Sequence, residues 1–184
     1  NAEAKNGMSI DYGDVDNDGD LDVVFGEENE VRLLLNNGTS QPFDASTTVQ
    51  VASGSLRRVK LADINRDGLL DLIAAGLSTE MKLILNDGDA TPFSGTPANI
   101  KTINSGISYT QAIAVGDVNN DGYPDMVLGI ANNGTGDGIN KLFLHDKNID
   151  ADDHPYNSIA PIAIGVETGT YAVELADFNA DGNL

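Results

Sequence analysis

Four times along this chain an aspartate opens the same short acidic pattern, and few folds can accommodate it. DVDNDGDLD runs from Asp14 to Asp22, DINRDGLLD from Asp63 to Asp71, DVNNDGYPD from Asp117 to Asp125, and DFNADGNL from Asp177 to Leu184. Position 1 is Asp, position 3 Asp or Asn, position 5 Asp and position 6 Gly, and the three nine-residue copies close on Asp at position 9. Alternate side-chain oxygens meet at one point when the backbone coils around it, and glycine permits the tight turn that a Cβ hinders. Position 7 can add a backbone carbonyl whatever its side chain, so Asp20, Leu69, Tyr123 and Asn183 can differ there. Two like charges about 4 Å apart repel by roughly 4 kcal/mol at the effective dielectric of a protein surface. Asp14, Asp16, Asp18, Asp20 and Asp22 crowd five carboxylates into one loop, which calls for a hard cation. Calcium suits the set, since it takes roughly six to eight oxygen ligands in a flexible geometry.

The loops start 49, 54 and 60 residues apart, a period that fits a small multi-stranded unit. Ahead of each lies an alternating segment, Met8 to Gly13, Arg57 to Ala62, Gln111 to Gly116 and Tyr171 to Ala176, whose period of two predicts a strand. The residue just before the first Asp is always small (Gly13, Ala62, Gly116, Ala176), as a close approach of neighbouring backbones requires. Short apolar runs follow the complete loops, Val23 to Gly26, Leu72 to Gly76 and Met126 to Gly129, and predict strands buried on both faces. A third strand is predicted at Val31 to Asn36, Met81 to Asn86 and Asn140 to His145. The first two end in Asn37-Gly38 and Asp87-Gly88, which are hairpin turn signals. Pro42-Phe43, Pro92-Phe93 and Pro155-Tyr156 come next, as packing positions, and β-rich segments at Thr47 to Val51 and Ile100 to Ile103 supply a fourth strand. The third unit carries extra surface loops, Asn132 to Asn140 and Asp146 to Asp153. No stretch reads as a helix.

Four short antiparallel strands per repeat predict an all-β chain of β-propeller blades, with the acidic loops between first and second strands. The approximate repeats are 1–52, 53–104, 105–165 and 166–184, the last only begun. One incomplete propeller domain is therefore expected, part of a longer chain or completed by another copy. The EF-hand, which uses similar letters, needs Glu at position 12 and flanking helices. Phe25, Ala74 and Leu128 occupy that position here.

DVDNDGDLDVVFG, DINRDGLLDLIAAG and DVNNDGYPDMVLG, with LLLNNG, LILNDG and the trailing Phe43 and Phe93, resemble the FG-GAP or VCBS repeats also found in the propeller of integrin α subunits. The resemblance implies a propeller with calcium in the loop between the first two strands of each blade. Its ligands map onto Asp14, Asp16, Asp18 and Asp22, onto Asp63, Asn65, Asp67 and Asp71, and onto Asp117, Asn119, Asp121 and Asp125. Asp177, Asn179 and Asp181 begin a fourth site whose ninth position would follow Leu184. Three complete calcium sites and a truncated fourth are expected.

Thirteen of the 29 acidic residues lie in these loops, and four calcium ions would bring the formal net charge from −19 to −11. Such a surface argues against nucleic acid and anionic lipid as partners. No apolar run is long enough for membrane insertion. The absence of cysteine excludes thiol chemistry and disulfides. Low-affinity calcium loops belong where the ion is abundant, so an extracellular location, secreted or on the cell surface, is expected. His145 and His154 lack a supporting catalytic constellation and are expected at the surface, and Arg57 and Arg58 as balance for the acidic surface. Asn37-Gly38-Thr39 and Asn133-Gly134-Thr135 fit the N-glycosylation pattern. The expected protein is not an enzyme but an adhesion module that binds a protein or glycan ligand. Two other readings stand beside it: a structural subunit of an extracellular fibre or matrix built from copies of itself, and a non-catalytic domain of a larger secreted enzyme.

Overall fold

A computed structural model describes residues 7–43, 48–89, 91–93, 99–104, 106–107, 109–131, 138–147, 155–156, 159–165 and 169–184. Among them are twelve strands in three four-stranded antiparallel sheets and no helix. The first sheet runs in chain order through β1 (Gly7–Gly13), β2 (Asp22–Glu27), β3 (Glu30–Leu34) and β4 (Thr48–Ser53). The second repeats it with β5 (Leu56–Ala62), β6 (Asp71–Gly76), β7 (Glu80–Ile84) and β8 (Ile100–Asn104). The third follows with β9 (Thr110–Gly116), β10 (Asp125–Ile130), β11 (Asn140–Phe143) and β12 (Ile162–Ile164). In each, the first two strands pair so that the residue before the acidic loop faces its last aspartate: Gly13 with Asp22, Ala62 with Asp71, Gly116 with Asp125. The sheets do not close into a ring.

The sheets stack face to face through two cores. Val15, Val24, Val31 and Leu33 of the first repeat bury against Leu56, Val59, Leu61, Leu72, Ile84 and Phe93 of the second. Ile64, Ile73, Met81, Leu83 and Ile103 of the second bury against Met126, Leu128, Ile130, Phe143 and Tyr156 of the third. Each such side chain contributes about 1.5–3 kcal/mol when fully buried. The second sheet is thus covered on both faces, and every residue of β6 is buried. In β2 burial alternates, because one face of the first sheet has no neighbour among the described residues. Ile10 and Tyr12 there are 63% and 68% exposed, while their counterparts Val59 and Leu61 are 5% and 7% exposed. Phe43 is exposed for the same reason, whereas Phe93 and Tyr156 are buried.

Unpaired edge groups of the first strands are satisfied from the neighbouring repeat. Ser9 Oγ accepts the Val59 N–H at 3.0 Å and Asp11 Oδ2 the Leu61 N–H at 2.8 Å. Arg58 reaches both ways along this row of strands, donating to the Met8 carbonyl at 3.0 Å and to Gln111 through its backbone and side-chain oxygens. Arg57 pairs with Glu28 at 3.4 Å, as a surface cation should, but Arg58 is a cross-strand tie rather than a charge balance. Before the first and third loops the small residue makes room for a side chain rather than a backbone. A Cβ on Gly13 would lie 2.4 Å from Leu70 Cδ1, and one on Gly116 2.5 Å from Leu184 Cδ1.

Three expectations need correction. Asn37-Gly38 and Asp87-Gly88 do not close two-residue hairpins, since Leu34 pairs with Thr48 and Ile84 with Ile100, leaving long connections. Both glycines do turn the chain with positive φ, 67° and 72°, under Asx-type bonds from Asn36 and Asn86. Residues 171–176 form no ladder, because no second strand lies beside them among the described residues, although the Thr170 N–H bonds to the Ile130 carbonyl at 2.9 Å. His145 is buried at 8% exposure, not at the surface. His154, Asn133-Gly134-Thr135 and most of the two extra loops lie outside the described residues.

Gly26 tests the stacking directly. A Cβ there would lie 2.6 Å from the Arg57 carbonyl oxygen, so Gly26→Ala should destabilise the fold by about 1–3 kcal/mol, read as a lower urea midpoint at unchanged slope.

Candidate metal centre

The acidic loops owe their coil to backbone N–H groups that turn inward onto their own carboxylates. In the first, Asp14 Oδ1 accepts the Asp18 N–H at 3.1 Å and Oδ2 the Gly19 N–H at 3.0 Å, while Asp18 Oδ1 accepts the Asp20 N–H at 2.9 Å. The same bonds recur from Asp67 and Gly68 to Asp63, from Asp121 and Gly122 to Asp117, and from Asp181 and Gly182 to Asp177. Position 6 is left-handed in all four, at φ 95°, 90°, 87° and 89°, which glycine adopts freely. Position 4 is left-handed too, at Asn17, Arg66, Asn120 and Ala180. Asn tolerates that conformation, whereas Arg66 and Ala180 carry a cost of roughly 1–2 kcal/mol each.

The first loop gathers oxygens. One ligand atom from each of Asp14, Asp16 and Asp18 lies within 4.8 Å of the others, so the three can hold a metal ion. Burial, then the charges of Asp18 and Asp14, push the Asp16 carboxyl above its ordinary range. In the other loops position 3 is an amide. Asn65 Nδ2 donates to Asp67 Oδ2 at 2.8 Å, Asn119 Nδ2 to Asp121 Oδ2 at 3.3 Å, and Asn179 Nδ2 to Asp181 Oδ2 at 2.8 Å. The amide therefore stands where the first loop places the Asp16 carboxylate. Asp177, half-buried, and Asp181, exposed, are held below the usual carboxylate range by loop N–H groups. Position 7 contributes its N–H to the coil at Asp20, Leu69, Tyr123 and Asn183.

The ninth aspartate behaves differently. Asp22, Asp71 and Asp125 are fully buried, and each spends both oxygens on backbone N–H groups. Asp22 takes Val15 at 2.9 Å and Asn36 at 2.8 Å; Asp71 takes Ile64 and Asn86, both at 2.9 Å; Asp125 takes Val118 at 3.0 Å and His145 at 2.9 Å. Burial raises the pKa of all three, Asp71 to about 6, against the lowering effect of those bonds.

Contacts between neighbouring loops escaped the sequence reading. The Arg66 guanidinium lies 4.8 Å from the centre of the Tyr123 ring, and Asn120 Nδ2 donates to Asn183 Oδ1. His145 Nε2 lies 3.2 Å from the Ile64 carbonyl and so carries the ring proton, leaving a buried Nδ1 without a partner among the described residues. Burial holds this imidazole below its ordinary pKa. The only sequence signal was that His145 stands where Asn36 and Asn86 end the third strand.

Stacked antiparallel sheets, each with an acidic loop between its first and second strands, define a β-repeat protein able to hold a metal ion at the first of these loops. The model of the FG-GAP-like repeat matches residues 14–74 and 63–128, together more than half of the chain, and the protein belongs to that family. A search of curated proteins found no match.

The clasp can be tested without metal. Asp71→Asn turns one acceptor into a donor facing a buried N–H, and should cost about 1–3 kcal/mol in EDTA, read from the thermal midpoint.

Proposed function

We propose that this chain is a calcium-binding segment of a β-propeller, extracellular and non-catalytic, that binds a protein or glycan ligand as an adhesion module. One observation carries the calcium reading: the acid-rich coil recurs at the same place in each repeat, with its carboxylates already oriented by backbone bonds. The first-loop oxygens suit the ion, because ligands bound at about 2.3–2.6 Å lie up to about 5 Å apart around one centre. Asp14, Asp16, Asp18 and Asp22, with the carbonyl of Asp20, would hold the first ion. Asp63, Asn65, Asp67 and Asp71 with Leu69, and Asp117, Asn119, Asp121 and Asp125 with Tyr123, would hold the next two after the amides rotate. Asp177, Asn179, Asp181 and Asn183 begin a fourth. The ion's task is to pin the loops, which stabilises the folded state by about 2.7 kcal/mol at a hundredfold excess over Kd.

Family membership supports the extracellular setting, and no helix among the described residues is long and apolar enough to cross a membrane. The propeller reading rests on the stacking. Ile10 and Tyr12 at one end correspond to Val59 and Leu61, and Phe178, 96% exposed, at the other corresponds to Val15 and Ile64, all four buried against a neighbouring repeat. Those same uncovered faces favour a second reading, in which copies of the chain stack end to end as a structural assembly.

Calcium should raise the thermal midpoint by about 5–10 °C at pH 7, and EDTA should reverse it. The increment should shrink as pH falls through about 6. Burial raises the Asp71 pKa from 3.8 to about 6, so below about pH 6 the folded chain holds a proton there that an ion must displace. Calcium stabilises the ionised form instead. A midpoint indifferent to calcium at every pH overturns the calcium reading. Light scattering separates the two assemblies: a discrete particle in calcium supports the propeller module, whereas a polymer that EDTA disperses supports end-to-end stacking.

A further inference from the structure

The first three acidic loops are joined to one another by buried hydrogen bonds that pass through one side chain at each of their two junctions. Between the first and second repeats that side chain is Asn86. Its N–H donates to Asp71 Oδ1 at 2.9 Å, and its Nδ2 donates to the Val15 carbonyl at 2.7 Å and the Leu70 carbonyl at 3.2 Å. Oδ1 accepts the Gly88 N–H at 3.1 Å, so the orientation of the amide is set by chemistry. Val15 sits between Asp14 and Asp16, within the first loop, while Asp71 closes the second. Between the second and third repeats His145 has the same place. Its N–H donates to Asp125 Oδ1 at 2.9 Å, and its Nε2 lies 3.2 Å from the carbonyl of Ile64, between Asp63 and Asn65. Asp71 Oδ2 accepts the Ile64 N–H at 2.9 Å and so carries the path through the second loop. Asn86 and His145 are 2% and 8% exposed, leaving little water to replace these bonds.

We propose that this relay couples the cation loops, so that filling one raises the affinity of its neighbour, with Asn86 and His145 as the positioning residues. The inference rests on the calcium reading above. In an empty loop the half-buried or exposed oxygens at positions 1, 3 and 5 are held only by bonds within the loop, whereas a bound ion would fix them together with the buried ninth aspartate. Fixing Asp71 fixes the Asn86 backbone. The Asn86 amide then holds the Val15 carbonyl, and with it the chain between Asp14 and Asp16. The first loop has less freedom left to lose on binding, so its affinity rises, and linkage makes the effect reciprocal. Two neighbouring cations repel, so charge alone gives falling affinities. The sign of the cooperativity therefore separates the relay from simple electrostatics.

The test follows each loop separately by calcium titration of the whole chain, reading the amide resonances of Gly19 for the first loop and Gly68 for the second. Asp67→Asn disables the second loop while leaving Asp71 in place. With Asn86 present, that change should weaken calcium at the first loop by about fivefold or more. In Asn86→Ala the ratio should fall to about one, and Asn86→His, which borrows the third repeat's solution, should restore it. A ratio of one in the native background overturns the relay, as does a ratio unchanged by Asn86→Ala. The native-background ratio needs no change at the junction, so it decides the matter even if Asn86→Ala does not fold. Should Gly19 and Gly68 both ignore calcium in the unmodified chain, the calcium reading falls and the relay with it; calcium shifts without coupling overturn the relay alone.

Discussion

A buried carboxylate with both oxygens given to backbone N–H groups holds each repeat together. Asp22, Asp71 and Asp125 each join the start of an acidic loop to the end of the third strand. An ionised carboxylate in such a place is costly to desolvate, and charge-assisted bonds to two donors offset part of that cost. The residue must be short to stay in the strand and must accept twice, so Asp fits where Asn would present a donor to a donor. The coil of the acidic loop, the pairing of the first two strands and the turn after the third strand all depend on it.

The second dependence is between repeats. No sheet here buries its faces alone: the second is closed on both sides, and the first has one side uncovered among the described residues. Four contacts recur at the junctions. The second loop residue, Val15 or Ile64, enters the next repeat's core. The side chain at loop position 8, Leu70 or Leu184, fills the space left by Gly13 or Gly116. Asn86 or His145 reaches back to a loop carbonyl, and Ser9, Asp11 and Arg58 satisfy strand edges that would otherwise invite foreign strands. Stability is then a sum over repeats and their junctions, as in other stacked-repeat proteins.

Much of the architecture was legible because period and side-chain type are local properties. Alternation at Met8 to Gly13 and the apolar run at Leu72 to Gly76 appear as β1 and β6. The acidic spacing also marked Asp14, Asp16 and Asp18, whose oxygens do gather. Misreadings came where local chemistry has more than one use. Asn37-Gly38 turns the chain with a positive φ but does not return it at once, because the fourth strand pairs further along. Pro155-Tyr156 was read as packing, and Tyr156 is indeed buried, its hydroxyl donating to the Pro124 carbonyl at 2.7 Å. Arg58 was read as surface charge, yet its guanidinium lies among carbonyls of β1 and β9 that sit about fifty residues away in sequence.

The sequence by itself determined the period of the repeat, the strands within it and the acids at the head of each loop, since all of these follow from spacing along one strand and one turn. Only the tertiary structure decided that the ninth aspartate turns inward as a clasp, that Asn86 and His145 bridge one loop to the next, and which apolar strand faces are covered. The clasp depends on where the start of the loop and the end of the third strand meet within one folded repeat. The bridges and the covered faces are properties of two repeats in contact, and no single repeat encodes them.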